Sequence, residues 1–181
     1  FKEVGKDGAA LEAELKAKLR KYRMRMVGPN CMGVVNTEAD VRLNATFAAT
    51  APVRGNVGFV SQSGALGEAI LADAVENGLG VAMFVSMGNK TDISGNDLLE
   101  YWEDNPDIQA ILMYLESFGN PRRFTTIARR VTRKKPIIAV KAGRTAQGAR
   151  AASSHTGSIV GLDVASDTLL EQCGVIRVSS M

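Results

Sequence analysis

Val57-Gly58-Phe59-Val60-Ser61-Gln62-Ser63-Gly64-Ala65-Leu66 is the stretch of this sequence that decides its fold. Its first four residues form a short apolar run, and the next four are small or polar residues typical of a turn. Apolar residues then recur at helical spacing as far as Glu76. A short apolar run that is closed by turn residues and followed by helical periodicity is typical of a buried strand leading into a helix. We therefore predict a strand, a tight turn and a helix in that order.

The same alternation continues to the end of the chain. The predicted strands are Val57–Val60, Val81–Val85, Ile108–Tyr114, Pro136–Val140 and Val175–Val178. The predicted helices between them are Ala65–Glu76, Asn96–Glu103, Arg122–Thr132 and Ile159–Gln172. Near-continuous apolar strands indicate burial on both faces of a sheet, and regular alternation with helices indicates parallel crossover connections. We predict an α/β fold with a doubly wound parallel sheet of about five strands, flavodoxin-like in size.

The first 53 residues follow a different pattern. Gly8–Tyr22 is predicted to be a charged amphipathic helix, Met24–Val27 a short strand, and Gly28–Gly33 a turn-rich loop. One helix and one strand are too little to bury a core alone. They either add to the sheet or form the tail of a preceding domain that the chain lacks, and we favour the tail. The chain begins with Phe1, so we interpret it as cut from a longer protein.

Composition excludes several classes of protein. The chain has 181 residues, of which 45% are hydrophobic and 23% charged, as in ordinary globular proteins. A net charge of +3 is too small for a typical nucleic-acid binder. Cys31 and Cys173 lie far apart without metal-ligand spacing, so we expect no metal site in this chain and a reducing cytoplasm. No apolar run approaches membrane-spanning length, so we expect no membrane partner.

The loops after the strands are where ligands of a parallel sheet bind. The first of them, Ser61–Gly64, opens a helix, and free backbone amides at a helix N-terminus attract anions. A simple serine N-cap explains the same residues equally well. The loop has neither the lysine of a Walker A motif nor the glycine pattern of a dinucleotide fold. By itself it is therefore a weak signal for phosphate.

His155 is the one histidine in the chain, and it lies among the small and hydroxyl-bearing residues of Ala152–Ser158. Such residues let a backbone fold closely around a ligand, and a neutral imidazole can carry a phosphoryl group. Glu116 follows the third predicted strand of the sheet, where its carboxylate is placed to orient an imidazole or is simply a solvated loop acid. Lys141 and Arg144 follow the fourth, where cations can meet phosphate.

These loops, in this order, resemble one family, the NDP-forming acyl-CoA synthetases. Its members include the ADP-forming acetyl-CoA synthetases, which are the nearer match, and the alpha subunit of succinyl-CoA synthetase. The resemblance runs the whole length of the chain, and its matching segments are Gly28–Thr37, Gly55–Ala65, Ser86–Lys90 with Asp92, and Ala152–Ser158.

The resemblance implies a division of the chain and a set of site residues. Residues 1–53 would be the end of a CoA-binding Rossmann domain with its linker, and residues 54–181 a flavodoxin-like domain that carries the phosphohistidine loop. His155 would be the phosphorylated residue, with Glu116 against its ring. The implied phosphate-binding residues are Ser61, Gln62, Ser63, Gly64, Ser154, Thr156 and Gly157. The implied residues for substrate and CoA are Asn30, Gly33, Gly88 and Asn89, whereas Cys31 is interpreted as a packing residue.

The resemblance also implies a reaction, in which an acid, CoA and ATP give acyl-CoA, ADP and phosphate. The cofactors would be CoA and ATP or ADP with magnesium. An ATP-grasp domain or beta subunit, absent from this chain, would bind the nucleotide and the metal, so the fragment alone would be inactive. The partners would be that domain and a small carboxylic acid, within an oligomeric full enzyme.

Two other functions fit the same fold. The first is a synthetase-like regulatory module of a protein acetyltransferase, a kind of module that can lack the phosphorylated histidine. The second is a flavodoxin-like domain that binds a ligand without catalysis. Retention of His155 favours the synthetase over both.

Overall fold

A computed structural model describes residues 5–143 and 163–180 of the chain. The strands are β1 (Gly33–Asn36), β2 (Leu43–Thr46), β3 (Val57–Ser61), β4 (Val81–Ser86), β5 (Ala110–Leu115), β6 (Ile137–Lys141) and β7 (Ile176–Arg177). The helices are α1 (Lys6–Lys21), α2 (Gly64–Glu76), α3 (Gly95–Glu103), α4 (Pro121–Val131) and α5 (Asp163–Gln172). In this part of the chain the strands form one sheet in the order β2-β1-β4-β3-β5-β6-β7.

The five strands β4-β3-β5-β6-β7 run parallel, which confirms the predicted doubly wound sheet. Every residue of β3 and β4 is buried, as their continuous apolar runs predicted. Each predicted strand and helix of this region is present within about one or two residues at its ends, which is the usual scatter of such boundaries. The predicted start of the last helix, residues 159–162, lies outside the described residues.

The antiparallel hairpin β1/β2 extends this sheet beyond the predicted five strands. β1 pairs with β2 on one side and with β4 on the other. The predicted strand Met24–Val27 was wrong, since this segment belongs to no strand of the sheet. It is held by isolated contacts to the loop after β4: the Met26 amide donates to Asp92 Oδ2 at 2.8 Å, and the Met26 carbonyl accepts from the Ile93 amide at 3.1 Å.

Apolar side chains cover both faces of the sheet, because neighbouring residues of a strand point to opposite sides. On one face, Trp102 of α3 is fully buried and its Nε1 donates to Met83 Sδ at 3.2 Å. On the other face, the rings of Phe59 and Phe84 pack with centroids 5.1 Å apart, in a cluster with Leu71 of α2. Helices α3 and α4 thus lie against one face and α2 against the other, which leaves the carboxyl edge of the strands to the loops.

Gly33 is required by the hairpin, and its replacement tests that account. Its φ is +119°, and an added Cβ would lie 2.1 Å from the Ala45 carbonyl oxygen of β2. Gly33→Ala is therefore expected to lower the free energy of unfolding by about 2–4 kcal/mol, measured by urea unfolding. Gly78→Ala is the control, because Gly78 also has a positive φ of +70° but has nothing within 4 Å of an added Cβ. The control should cost about 1 kcal/mol, and equal costs would contradict the close approach of β2.

Candidate functional site

Loops from the carboxyl edge of the sheet meet around one cleft with a volume of about 460 Å³. The carboxyl ends of parallel strands lie at the same edge, so loops far apart in sequence converge there. The described residues that line the cleft are Asn30, Cys31, Met32, Phe47, Gln62, Ser63, Gly64, Ala65, Gly88, Asn89 and Glu116. The cleft therefore brings together most of the described residues that the sequence analysis assigned to phosphate, substrate and the histidine ring.

The N-terminus of α2 lies at this cleft. Ser63 is the N-cap, and its side chain accepts from the Leu66 amide at 3.3 Å. Gly64 and Ala65 follow in the first turn, where an α-helix offers no backbone acceptor for its amides, and both residues line the cleft. The helix dipole adds partial positive charge at the same place. The serine cap and the anion site are thus compatible features of one turn.

Ser61 is buried inside the turn, unlike its neighbours Gln62, Ser63 and Gly64, which line the cleft. It is fully buried, and its Oγ donates to the Ser63 carbonyl at 2.7 Å and accepts from the Ser63 amide at 3.2 Å. It is not among the described residues that line the cleft. Its hydroxyl is thus used inside the turn, where it sets the path of the backbone into α2.

Gln62 clamps the loop after β5. Its Oε1 accepts from the amides of Glu116 and Ser117, each at 3.0 Å, and its Nε2 donates to the Ser117 carbonyl at 2.7 Å. The side chain is almost wholly buried, so these bonds are shielded from water. The clamp fixes the backbone from which Glu116 reaches the cleft. Sequence reasoning assigned Gln62 to phosphate and missed the clamp, for which no local pattern gives a signal.

Lys90 contacts the residue next to Glu116 and is not among the described residues that line the cleft. Its Nζ donates to Ser117 Oγ at 2.7 Å. Burial lowers the pKa of Lys90 to about 8, a shift that the charge of Lys141 adds to and the charge of Glu116 opposes. Sequence analysis quoted Lys90 within a motif but did not single it out as a site residue. The signal was its position directly after two residues predicted to bind substrate.

The loop before β1 lies against the loop after β4. The Asn89 amide donates to the Pro29 carbonyl at 2.9 Å, and Asn30 Nδ2 lies 3.4 Å from Asn89 Oδ1. Gly88 has a φ of +51°, and an added Cβ would lie 2.1 Å from the Asn30 carbonyl oxygen. Only glycine permits this approach, which closes one side of the cleft.

Two further predicted residues have clear structural places. Gly33 opens β1 and is not among the described lining residues, so its described contacts are with the hairpin. Cys31 does line the cleft, but burial raises the pKa of its thiol. A thiol that stays protonated near neutral pH is a poor nucleophile, in keeping with its interpretation as a packing residue.

The predicted histidine loop falls on residues that the structure does not describe. His155, Ser154, Thr156 and Gly157 all lie outside residues 5–143 and 163–180, as does Arg144. Within those two ranges, no group of three or more His, Cys, Asp and Glu is placed to hold a metal ion. Within them also, no helix has the length and apolar character needed to cross a membrane.

Known proteins share both the sequence and the fold. The family model of the succinyl-CoA ligase like flavodoxin domain matches residues 54–181. Over 177 residues the chain is 46% identical to the alpha subunit of ADP-forming acetate–CoA ligase I of Pyrococcus furiosus, covering 98% of this chain and 38% of that protein. Over 183 residues it is 41% identical to the ADP-forming 4-hydroxybutyrate–CoA ligase of Nitrosopumilus maritimus, covering 100% of this chain and 26% of that protein.

A solved structure has the same architecture over the whole chain. It is the dinucleotide forming acetyl-coenzyme A synthetase 1 of Ca. Korarchaeum cryptofilum in complex with phosphate and ADP, with a TM-score of 0.91 and 44% identity. The match covers 100% of this chain and 39% of that one, so the chain spans less than half the length of these relatives. By its motifs, its family model and its fold, the chain belongs to the NDP-forming acyl-CoA synthetases, through their succinyl-CoA ligase-like flavodoxin domain.

Proposed function

We propose that this chain is part of an ADP-forming acyl-CoA synthetase that works through a phosphohistidine at His155. The reaction converts a carboxylic acid, CoA and ATP into acyl-CoA, ADP and phosphate. The observation that carries the proposal is the cleft in which the N-terminus of α2 meets Glu116. A helix N-terminus supplies donors for a phosphoryl group, and a carboxylate beside it suits an imidazole.

The residues of the cleft fit a phosphoryl group. The amides of Gly64 and Ala65 supply hydrogen-bond donors without a fixed full charge, and Ser63 holds the turn that presents them. The His155 imidazole nitrogen attacks phosphorus, so an N–P bond forms as the P–O bond of the acyl phosphate or nucleotide breaks. Glu116 accepts the hydrogen bond of the other ring nitrogen and keeps the attacking nitrogen unprotonated. The role of His155 itself rests on the family motif.

The opposite wall of the cleft suits the acid and the CoA thiol. Asn30 and Asn89 offer side-chain amides there, whereas Met32 and Phe47 offer apolar surface. A small carboxylic acid has both kinds of group, a polar carboxylate and a short apolar tail. Two relatives that are 46% and 41% identical are named for acetate and for 4-hydroxybutyrate, which supports an acid of this size.

The binding of CoA and of nucleotide would be divided between this chain and further domains of the enzyme. Residues 1–53 would be the end of a CoA-binding Rossmann domain with its linker, and residues 54–181, which the family model matches, would be the phosphohistidine domain. Nucleotide and magnesium would be bound by an ATP-grasp domain or a beta subunit, within an oligomeric enzyme of the cytoplasm. The share of its relatives that the chain spans supports such additional parts.

Phosphorylation of His155 is the direct test of this function. The full-length enzyme, incubated with labelled ATP and magnesium, is expected to gain phosphate that is labile in acid and stable in base. His155→Ala should lose the label on the peptide that contains residue 155, because these 181 residues hold no other histidine. Ser153→Ala is a matched control in the same segment but outside the proposed phosphate-binding set, and its peptide should still be labelled. A wild-type peptide without label, or a label that the same peptide keeps in His155→Ala, would refute the proposal.

Gln62→Glu tests whether the clamp supports the same chemistry. The variant keeps the acceptor for the two loop amides but places a carboxylate oxygen against the Ser117 carbonyl, where Nε2 now donates. Loss of this buried bond should cost about 1–3 kcal/mol and slow labelling about tenfold to a hundredfold. Labelling rates and thermal unfolding of both enzymes provide the measurement.

Gln109→Glu is the control for the Gln62 variant. Gln109 is exposed, and its Oε1 only accepts, from Asn56 Nδ2 at 2.7 Å, so a carboxylate keeps that bond. Its labelling rate should match that of the wild type. Equal rates in all three proteins would show that the clamp does not support phosphoryl transfer.

A further inference from the structure

Lys90, Ser117 and Glu116 form a connected group at the edge of the cleft. Lys90 Nζ donates to Ser117 Oγ at 2.7 Å, and Ser117 follows Glu116 directly in the chain. Glu116 lines the cleft, whereas Lys90 is not among the described lining residues. The Lys90 ammonium would therefore act on a ligand indirectly, either by holding Ser117 and Glu116 in place or by its electric field.

The fold does not need a charge at this position. Gln62 already satisfies the amides of Glu116 and Ser117 and the carbonyl of Ser117 with three hydrogen bonds. Lys90 adds a bond to the Ser117 hydroxyl, which a neutral donor would make as well. Taking an ammonium partly out of water is costly, so a half-buried lysine that performs only this task would be a poor choice.

Two charged groups act on Lys90, and one of them, Glu116, lines the cleft. The carboxylate of Glu116 is the opposite charge that acts on Lys90, and Lys141 is the like charge. Lys141 ends β6, and its ammonium donates to the Ala142 carbonyl at 2.7 Å. Lys90, in the loop after β4, thus interacts electrostatically with Glu116, in the loop after β5, and with Lys141 at the end of β6, and Glu116 lines the cleft together with the first turn of α2.

We propose that Lys90 is a positioning residue for phosphoryl transfer in this cleft. Its ammonium orients the Glu116–Ser117 turn and supplies positive charge that stabilises a phosphoryl group at the N-terminus of α2. The inference rests on the proposed function and adds a residue that acts through others and does not touch the reacting atoms.

The proposed role makes the rate of labelling depend on the protonation state of Lys90, and therefore on pH. Burial lowers the pKa of Lys90 to about 8, so the ammonium is charged below that pH and loses its proton as the pH rises through it. Glu116 and Lys141 are the charged groups that act on it. Labelling of the enzyme should therefore slow as the pH rises through about 8.

The test compares rates of labelling from ATP and magnesium in the full-length enzyme, from neutral to alkaline pH. Lys90→Met should label roughly tenfold to a hundredfold more slowly at neutral pH, the size expected for a lost charged hydrogen bond, and should lack the alkaline decline. Lys90→Arg should recover much of the neutral rate and should keep it at alkaline pH, because a guanidinium stays charged. Lys18→Met is the matched control, because Lys18 lies on α1 and pairs there with Glu14. It should reproduce the wild-type profile.

The outcomes separate this inference from the function on which it rests. A wild-type enzyme that gains no label overturns both. A labelled wild type whose rate and pH profile are matched by Lys90→Met overturns the inference alone. Thermal unfolding identifies a variant that fails to fold, and if Lys90→Met does so, Lys90→Arg still decides: an alkaline decline equal to that of the wild type overturns the role of Lys90.

Discussion

The hydrogen bonds of the Gln62 carboxamide are the interaction on which the cleft depends. The sheet fixes where β3 and β5 end, but the backbone beyond those ends has no ladder partner. Gln62 supplies one acceptor for two amides of the loop after β5 and one donor for a carbonyl of the same loop. A carboxamide is suited to this task because it offers both functions without a charge. Glu116 is thereby given a defined starting point on the cleft wall.

Hydrogen bonds of the same kind join the other loops at the carboxyl edge of the sheet. Lys90, from the loop after β4, bonds to Ser117, and the loop before β1 bonds to that loop through Asn89 and Pro29. Side chains and single backbone bonds thus join loops that share no regular secondary structure. Because the joined residues lie far apart in sequence, the cleft can form only after the sheet has aligned the strand ends. The cleft is consequently a product of the tertiary fold and has little local stability of its own.

Sequence predicted the parts of this structure that depend on local pattern. The strands β3 to β6 were evident because each is a short apolar run between helical segments, and β3 and β4 are buried along their whole length. The strand β1 was missed, and a strand was wrongly predicted at Met24–Val27, because the pairing of Gly33–Asn36 with β4 is set by tertiary contacts. Among site residues, strand-end position predicted that Gln62 and Glu116 meet, and the family resemblance added Asn30. It did not reveal the buried hydroxyl of Ser61, whose partner is its own turn, or Lys90, whose partner lies 27 residues away.

The hydrogen-bond donors of the cleft suit a phosphoryl group that must bind and be released again. A carrier that transfers phosphate in both directions cannot hold it in a deep energy well, because each transfer would then be slow in one direction. Amides of a helix N-terminus carry partial charges and bind an anion with moderate strength, whereas a direct bidentate arginine would bind it tightly. Lys90 fits the same requirement, since its ammonium lies behind the cleft wall and bonds to Ser117. In the proposed synthetase, positive charge acts on the phosphoryl group through a fixed turn and across a short distance, which stabilises the group without trapping it.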